Sequence, residues 1–302
     1  MRYDAIIIGG SFAGLSAAMQ IARSGRPICV IDSNAPRNRF ASASHGFFGQ
    51  DGAAPRAMIA QAREKLLAYP NVQFVSGTAV NADAESEGFA IDLGQGETLR
   101  AAKLVLAFGV VDELPDIPGL AGKWGKSVLH CPYCHGYEFK GHRLGVLNVM
   151  DKSSHQAQLI ADWGPTIFFL NGGEMPDAET LEKLRRGNVT IEPEKIVSLE
   201  GTETDLSGVR LADGRVIGLD AIFTATRPRM ASPIAEQLGC AFDEGMLGPV
   251  IRVDAMKMTT VPGVYAAGDI ARSMHNATFA SADGVMAGTA LHQALVFEPL
   301  AA

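Results

Sequence analysis

Cysteine is scarce in this sequence, at four in 302 residues, and no apolar run approaches membrane-spanning length. So few cysteines cannot make the disulfide framework that staples small secreted domains, and the chain must bury a core of its own. Without a long apolar run no segment is expected to cross a bilayer, and no membrane partner is expected. The apolar stretch between Asp4 and Gly9 is too short for the core of a signal peptide, which points to the cytoplasm. There is no basic run, and the formal net charge is -7. A nucleic-acid surface needs clustered Lys and Arg, so nucleic acid is not expected as a partner. The rest is ordinary for a globular chain: 47% hydrophobic residues, 20% charged and a mean hydropathy of +0.10. The length is a soft prior for two domains, each able to bury a core.

Residues 4 to 9 read as a short buried strand, and Gly9 to Gly14 as a tight turn into a helix over Leu15 to Arg23. A second strand, Pro27 to Ile31, ends in Asp32. This order opens a dinucleotide-binding fold: glycines let a pyrophosphate approach the helix N-terminus, and the acid accepts hydrogen bonds from a ribose. The middle glycine of the usual pattern is replaced by Ser11, so an ordinary strand-turn-helix remains an alternative. Phe89 to Leu93, a Gly94 to Gly96 turn, a short return strand and Leu104 to Gly109 suggest a meander feeding another buried strand. Val209 to Leu211, the Asp213-Gly214 turn, Val216 to Leu219 and Ala221 to Ala225 repeat that order, implying two nucleotide-fold halves. The second half opens at Arg143 to Val149, leading through Met150 to Ser154 into a helix over His155 to Trp163. A further strand ends at Gly268-Asp269, followed by a helix of small residues from Thr278 to Val296.

Two cysteines remain to be explained once Cys29 and Cys240 are set aside as scattered. Cys131 and Cys134 form a CxxC pair followed by His135. Such a pair can close a small disulfide ring, and near a helix start its thiols are acidified, which suits redox cycling. Other readings stay open: c-type haem attachment by Cys-x-x-Cys-His, a zinc site drawing on His130, His135 or His142, and structural burial of both thiols.

The Gly9 to Gly14 turn, the Cys131-Pro-Tyr-Cys-His135 motif, the glycine-poor second half and the Gly268-Asp269 ending together resemble the low-molecular-weight thioredoxin reductase family. The order of parts covers nearly the whole chain. Within that family the sequence is similar to a branch that includes the fungal gliotoxin and bacterial holomycin dithiol oxidases, which also carry CxxC followed by His-Gly. The resemblance implies an α/β fold of two Rossmann-like domains, the second inserted into the first. The FAD-binding domain would comprise residues 1–114 and 245–302, and an NAD(P)-binding-like domain carrying the CxxC would span 115–244. It also implies a homodimer.

For FAD the resemblance points to Gly9, Ser11, Phe12, Ala13 and Gly14 at the pyrophosphate, Asp32 at the adenosine ribose, and Gly268 with Asp269 near the ribityl phosphate. Arg37 and Arg39 offer forks of donors for phosphate or ribose oxygens, or are simply exposed loop charges. His275, Asn276 and Ala277 align with the segment that meets the isoalloxazine, and His45 and Gln50 sit where another flavin-facing loop is expected. Cys134 would face the flavin and Cys131 the substrate. His135 occupies the position of the family's acid–base aspartate, where an imidazole can accept and return a proton near neutral pH. Glu138 could tune it or remain solvated.

The second half departs from the family. Its turn, Asn148-Val-Met-Asp-Lys-Ser153, has no glycine and carries Asp151, and the following strand reads Phe168-Phe-Leu-Asn-Gly-Gly173 without an arginine pair, so NAD(P)H is a doubtful ligand. Arg185 and Arg186 read as the solvated end of a helix. Three functions follow. The first is a dithiol oxidase passing electrons from a small dithiol through Cys131 and Cys134 to FAD, then to oxygen or another acceptor. The second is a reductase of thioredoxin-like proteins or small disulfides, driven by NAD(P)H or a redox protein such as ferredoxin. The third is a non-catalytic flavin redox sensor.

Overall fold

The structure, a computed structural model, describes residues 2–94 and 96–297. These divide into two compact units. One takes the residues up to Arg39, Pro55–Val111 and those from Pro228 onward; the other takes Phe40–Ala54 and Asp112–Arg227.

In the first unit the strands run in the order Val72–Ser76, Ile28–Asp32, Arg2–Ile8, Thr98–Leu106, Gly88–Asp92 and Asn81–Glu85, with Val264–Ala266 also on Thr98–Leu106. The central pairings are parallel, aligning Ile6 with Cys29 and Leu104, and Leu104 with Val264. The run Ala5-Ile-Ile-Ile is buried on both faces, as β-branched residues in a covered parallel sheet should be. The sequence suggests a short return strand and then a separate buried one. Instead Thr98–Leu106 is one nine-residue strand, antiparallel to Gly88–Asp92 at its start and parallel to Val264–Ala266 at its end. No glycine or proline interrupts it. Gly94 and Gly96 both take positive φ at the preceding turn, while Gln95 lies outside the described residues.

The first helix, Phe12–Ala22, begins earlier than Leu15, because Phe12 and Ala13 already follow Ser11 into helical geometry. It packs on the C-terminal helix Ala277–Phe297 through small residues. A Cβ on Gly284 would lie 2.1 Å from the Ala13 carbonyl oxygen, and one on Gly288 2.4 Å from that of Ala17.

The second junction falls at Arg227/Pro228 rather than at the expected 244/245. Ile234, Ala235 and Cys240 share a buried core with Tyr3, Ile6 and Leu104, and that apolar burial assigns the segment to the first unit. The segment Phe40–Ala54, expected with the first domain, belongs to the second unit.

The second unit centres on a parallel sheet ordered Thr190–Glu192, Thr166–Phe169, Leu144–Leu147, Ala221–Thr224 and Val128–Leu129. Beside it lies an antiparallel meander, Ile196–Gly201, Leu206–Leu211 and Val216–Ile217. Phe168, Phe169 and Phe223 are fully buried in it. Two nucleotide-type α/β folds, one interrupting the other, are therefore the architecture.

The glycine contact between the helices is a test of the packing. Gly284→Ala is expected to destabilise the first unit by roughly 1–3 kcal/mol through overpacking, measured as a lowered urea midpoint. An unchanged midpoint would mean that the two helices separate freely.

Candidate active site

The first unit builds a cradle where its opening strand meets the first helix. Gly9 takes φ of 114°, and a Cβ there would lie 2.2 Å from the Ala107 carbonyl oxygen. Gly14 stands so close to Gly9 that a Cβ would meet the Gly9 oxygen at 1.8 Å. Ser11 is the N-cap without a side-chain capping bond, and the first turn carries no acidic residue. The positive end of the helix is therefore open to an anion. Asp32, at the end of its strand, accepts the Gly10 N–H through Oδ1 at 3.2 Å.

A cleft of about 200 Å³ opens here, lined among others by Gly10, Ser11, Asp32, Asn34, Arg56 and Arg63. The sequence reading did not single out Gly10, Asn34, Arg56 or Arg63. Gly10 is required because a Cβ would lie 2.7 Å from Asp32. Arg56 and Arg63 sit two turns apart on the helix Pro55–Leu67, a same-face spacing that could have flagged them. An open helix N-terminus, a turn cleared of side chains and an acid at the strand end fit a dinucleotide such as FAD.

Other expected cofactor positions are tied to one another. Arg37 donates through Nη1 to Asp269 Oδ2 at 3.0 Å and to His275 Nδ1 at 2.6 Å, so it orders the segment beyond Gly268 as well as offering a charge. Gly268 takes φ of 83°. Asn276 accepts the Thr278 N–H through its side chain at 2.7 Å and the Ala280 N–H through its carbonyl at 2.9 Å. It thereby starts the C-terminal helix at Ala277. Arg39 donates to the Pro36 carbonyl at 3.1 Å within its own loop. Gln50 and His45 lie in the segment grouped with the second unit. His45 reaches Glu138 there, its Nε2 3.4 Å from Oε1.

In the second unit Cys131 and Cys134 are joined in a disulfide. Cys131 caps a single turn, Pro132–His135, with proline first, a position where its missing N–H costs nothing. Gly136 follows because of space: a Cβ would lie 2.7 Å from the Trp163 ring and from the Pro132 oxygen. Tyr133 sets its ring edge on to Trp163 with centroids 6.0 Å apart. Gln156 donates to the His130 carbonyl at 2.8 Å, fixing the residue before the pair. Tyr133, within the motif, and Tyr137, just after it, are 76% and 78% exposed. Burial holds the His135 imidazole below its ordinary pKa; the Glu138 carboxylate pulls it up and His45 pushes it down. Its neutral, proton-accepting form is thus favoured.

The turn of the second nucleotide-type fold is closed on itself. Ser153, fully buried, accepts the N–H groups of Val149 and Met150 through Oγ at 3.1 and 3.2 Å. Arg185 and Arg186 are both paired with Glu182 at 2.9 and 2.8 Å. Among the described residues no group of three or more His, Cys, Asp or Glu side chains converges as a metal site would, and no helix is long and apolar enough to cross a membrane.

A glycine cradle on one α/β unit and a CxxC disulfide on the other define a flavin-type disulfide oxidoreductase. The chain belongs to the pyridine nucleotide-disulphide oxidoreductase family, whose profile matches residues 3–149 and 170–284. It is an FAD-dependent, thioredoxin reductase-like enzyme acting on sulfur groups. A solved structure of the oxidoreductase from Agrobacterium tumefaciens is 44% identical, with a TM-score of 0.94 over 99% of this chain and 100% of that one. Thioredoxin reductase tcpT of Claviceps purpurea (strain 20.1) is 32% identical over 94% of this chain and 92% of its own. Thioredoxin reductase sirT of Leptosphaeria maculans is 29% identical over 96% and 93%. The family match lapses over 150–169, the self-capped turn and its helix.

Two outcomes follow from this geometry. Gly9→Ala is expected to weaken flavin binding by about tenfold or more, since strain of this kind costs on the order of 1–3 kcal/mol; the flavin-to-protein absorbance ratio of the purified, folded variant reads it. Were His135 the base, it would act only while neutral, and its lowered pKa keeps it neutral below the ordinary imidazole value of about 6.5. The dithiol-driven rate, corrected for thiolate fraction, should therefore fall only at lower pH. His135→Asn should erase that limb and lose on the order of 10²-fold to 10⁴-fold in rate; a limb that persists in the variant assigns the proton to another group.

Proposed function

We propose that this enzyme is a flavin-dependent dithiol oxidase. In this reading the first unit is the FAD-binding domain, with Gly9, Ser11, Phe12, Ala13 and Gly14 at the pyrophosphate and Asp32 at the ribose. Gly268, Asp269, His275, Asn276 and Ala277 would hold the flavin end. The second unit carries the disulfide on a nucleotide fold that has given up its nucleotide. The observation that carries this reading is Ser153, whose Oγ takes the Val149 and Met150 N–H groups that a pyrophosphate would otherwise need. The glycine-free turn with Asp151 and the pairing of Arg185 and Arg186 with Glu182 support it further.

The thiol chemistry balances within the chain. One substrate sulfur, its proton taken by His135, attacks Cys131 Sγ; the Cys131–Cys134 bond breaks and Cys134 leaves as a thiolate. The second substrate sulfur then displaces Cys131. The substrate loses two electrons and two protons and becomes a disulfide, while the protein disulfide gains two electrons and becomes a dithiol. Bound FAD supplies the two-electron sink that restores the disulfide, with oxygen or another acceptor taking the electrons onward. His135 handles the protons.

A second reading, reduction of a small disulfide or a thioredoxin-like protein with electrons from a redox protein or NAD(P)H, draws support from relatives that are named thioredoxin reductases. Anaerobic visible spectra separate the oxidase from a nicotinamide-driven reductase. The oxidase predicts that dithiothreitol bleaches the flavin of the wild type while NADPH and NADH leave it oxidised, and that Cys131→Ser abolishes the bleaching. Prompt bleaching by NADPH would overturn it in favour of a nicotinamide-driven reductase.

A further inference from the structure

The loop Phe40–Ala54 has no motif that links it to the cysteines, yet the structure brings it to them. Its ends are tied by the Ser44 N–H to the Ala53 carbonyl at 2.8 Å. Within it the Gly46 N–H holds Asp51 Oδ1 at 2.8 Å. His45 sits between two carboxylates: Nδ1 is 3.5 Å from Asp51 Oδ1, and Nε2 is 3.4 Å from Glu138 Oε1. Its side chain is 24% exposed, whereas that of Asp51 is 73% exposed. Glu138 follows the CxxC turn, so one ring spans from the redox motif to a carboxylate at the surface.

Glu138 and His45 are also the titratable groups that act on His135, with opposite signs. From the helix Ser153–Ile160, packed against the CxxC turn, the contact is the neutral Gln156 amide on the His130 carbonyl. The charge balance at His135 is therefore set by one carboxylate and one imidazole in contact with each other. His45 thus stands against the Glu138 carboxylate that draws a proton to His135, and acts against that pull.

We propose that His45, seated between Asp51 and Glu138, is a positioning residue for proton transfer at His135: it engages the Glu138 carboxylate and so keeps the His135 imidazole free to take the substrate thiol's proton. This rests on the thiol–disulfide reading above. It assigns His45 to the chemistry of the second unit instead of to a flavin contact. The conflict with simple tuning by Glu138 alone is one of direction, because removing His45 and removing Glu138 must move His135 oppositely.

The test measures the anaerobic rate of flavin bleaching by dithiothreitol across a pH series, on the holoenzyme and on H45N, E138Q and D51N. Each rate is divided by that protein's own alkaline plateau. On the acid limb H45N is expected to fall about threefold below wild type, and E138Q to rise about threefold above it, as one partly exposed charge pair would give. D51N should move in the same direction as H45N by a smaller factor. Normalised curves that superimpose, or that move in one direction for both H45N and E138Q, overturn the proposal, since a merely structural role lowers all pH values alike. If H45N does not accumulate with flavin, the exposed D51N and E138Q still decide it by the sign of their shifts. Wild-type flavin that dithiothreitol never bleaches would instead sink the thiol–disulfide reading and this inference with it.

Discussion

A Cβ on Gly14 would lie 1.8 Å from the Gly9 oxygen, and on Gly284 2.1 Å from the Ala13 oxygen, so the first helix is held by backbone on two sides. The sheet it starts from and the helix that covers it both approach closer than any side chain permits. This closeness fixes where the helix begins, and hence where its positive end meets Asp32 and the cleft. It also binds the two ends of the chain together, since Gly284 and Gly288 belong to the last helix. Small residues at these positions are the condition for a cradle that admits a phosphate group without Cβ atoms in the way.

The same kind of fold appears again in the second unit, where the equivalent place is occupied by the protein's own serine. Ser153 Oγ accepts the N–H groups of Val149 and Met150, so these two amides are paired within the chain itself. What the second unit contributes to the chemistry is local: a disulfide on one turn of helix, a half-buried imidazole beside it, and charges from a loop distant in sequence.

The central buried strands of both units were legible in the sequence, because segments such as Ala5-Ile-Ile-Ile and Ala221-Ile-Phe-Thr read as short apolar runs, whereas their order in the sheets was not. The glycines and Asp32 marked the cradle through the same steric logic that the structure displays. Boundaries were harder to read. The segment from Pro228 to Glu244 reads as loop-rich, and only tertiary burial of Ile234, Ala235 and Cys240 assigns it to the first unit. The role of Ser153 was hidden because a serine four residues beyond Val149 carries no motif. The meeting of His45 with Glu138 could not be read at all, since it depends on a loop folding back across most of a hundred residues. The Cys131–Cys134 disulfide was legible because the pair is written within one turn of chain.

The discontinuity of the first unit bears on how the protein is made. The sheet begun by Arg2–Ile8 is completed by Val264–Ala266, and the first helix gains its main cover from Ala277–Phe297. On the ribosome, Asp112–Arg227 emerges whole while the first unit still lacks its last strand and its covering helix. At a synthesis rate of about 5–20 residues per second, the apolar faces of its early strands wait roughly 10 to 40 seconds for their partners. The nascent chain therefore passes through a stage in which one half is able to fold and the other is an open, sticky sheet, which makes early sequestration by a chaperone a natural part of its biogenesis.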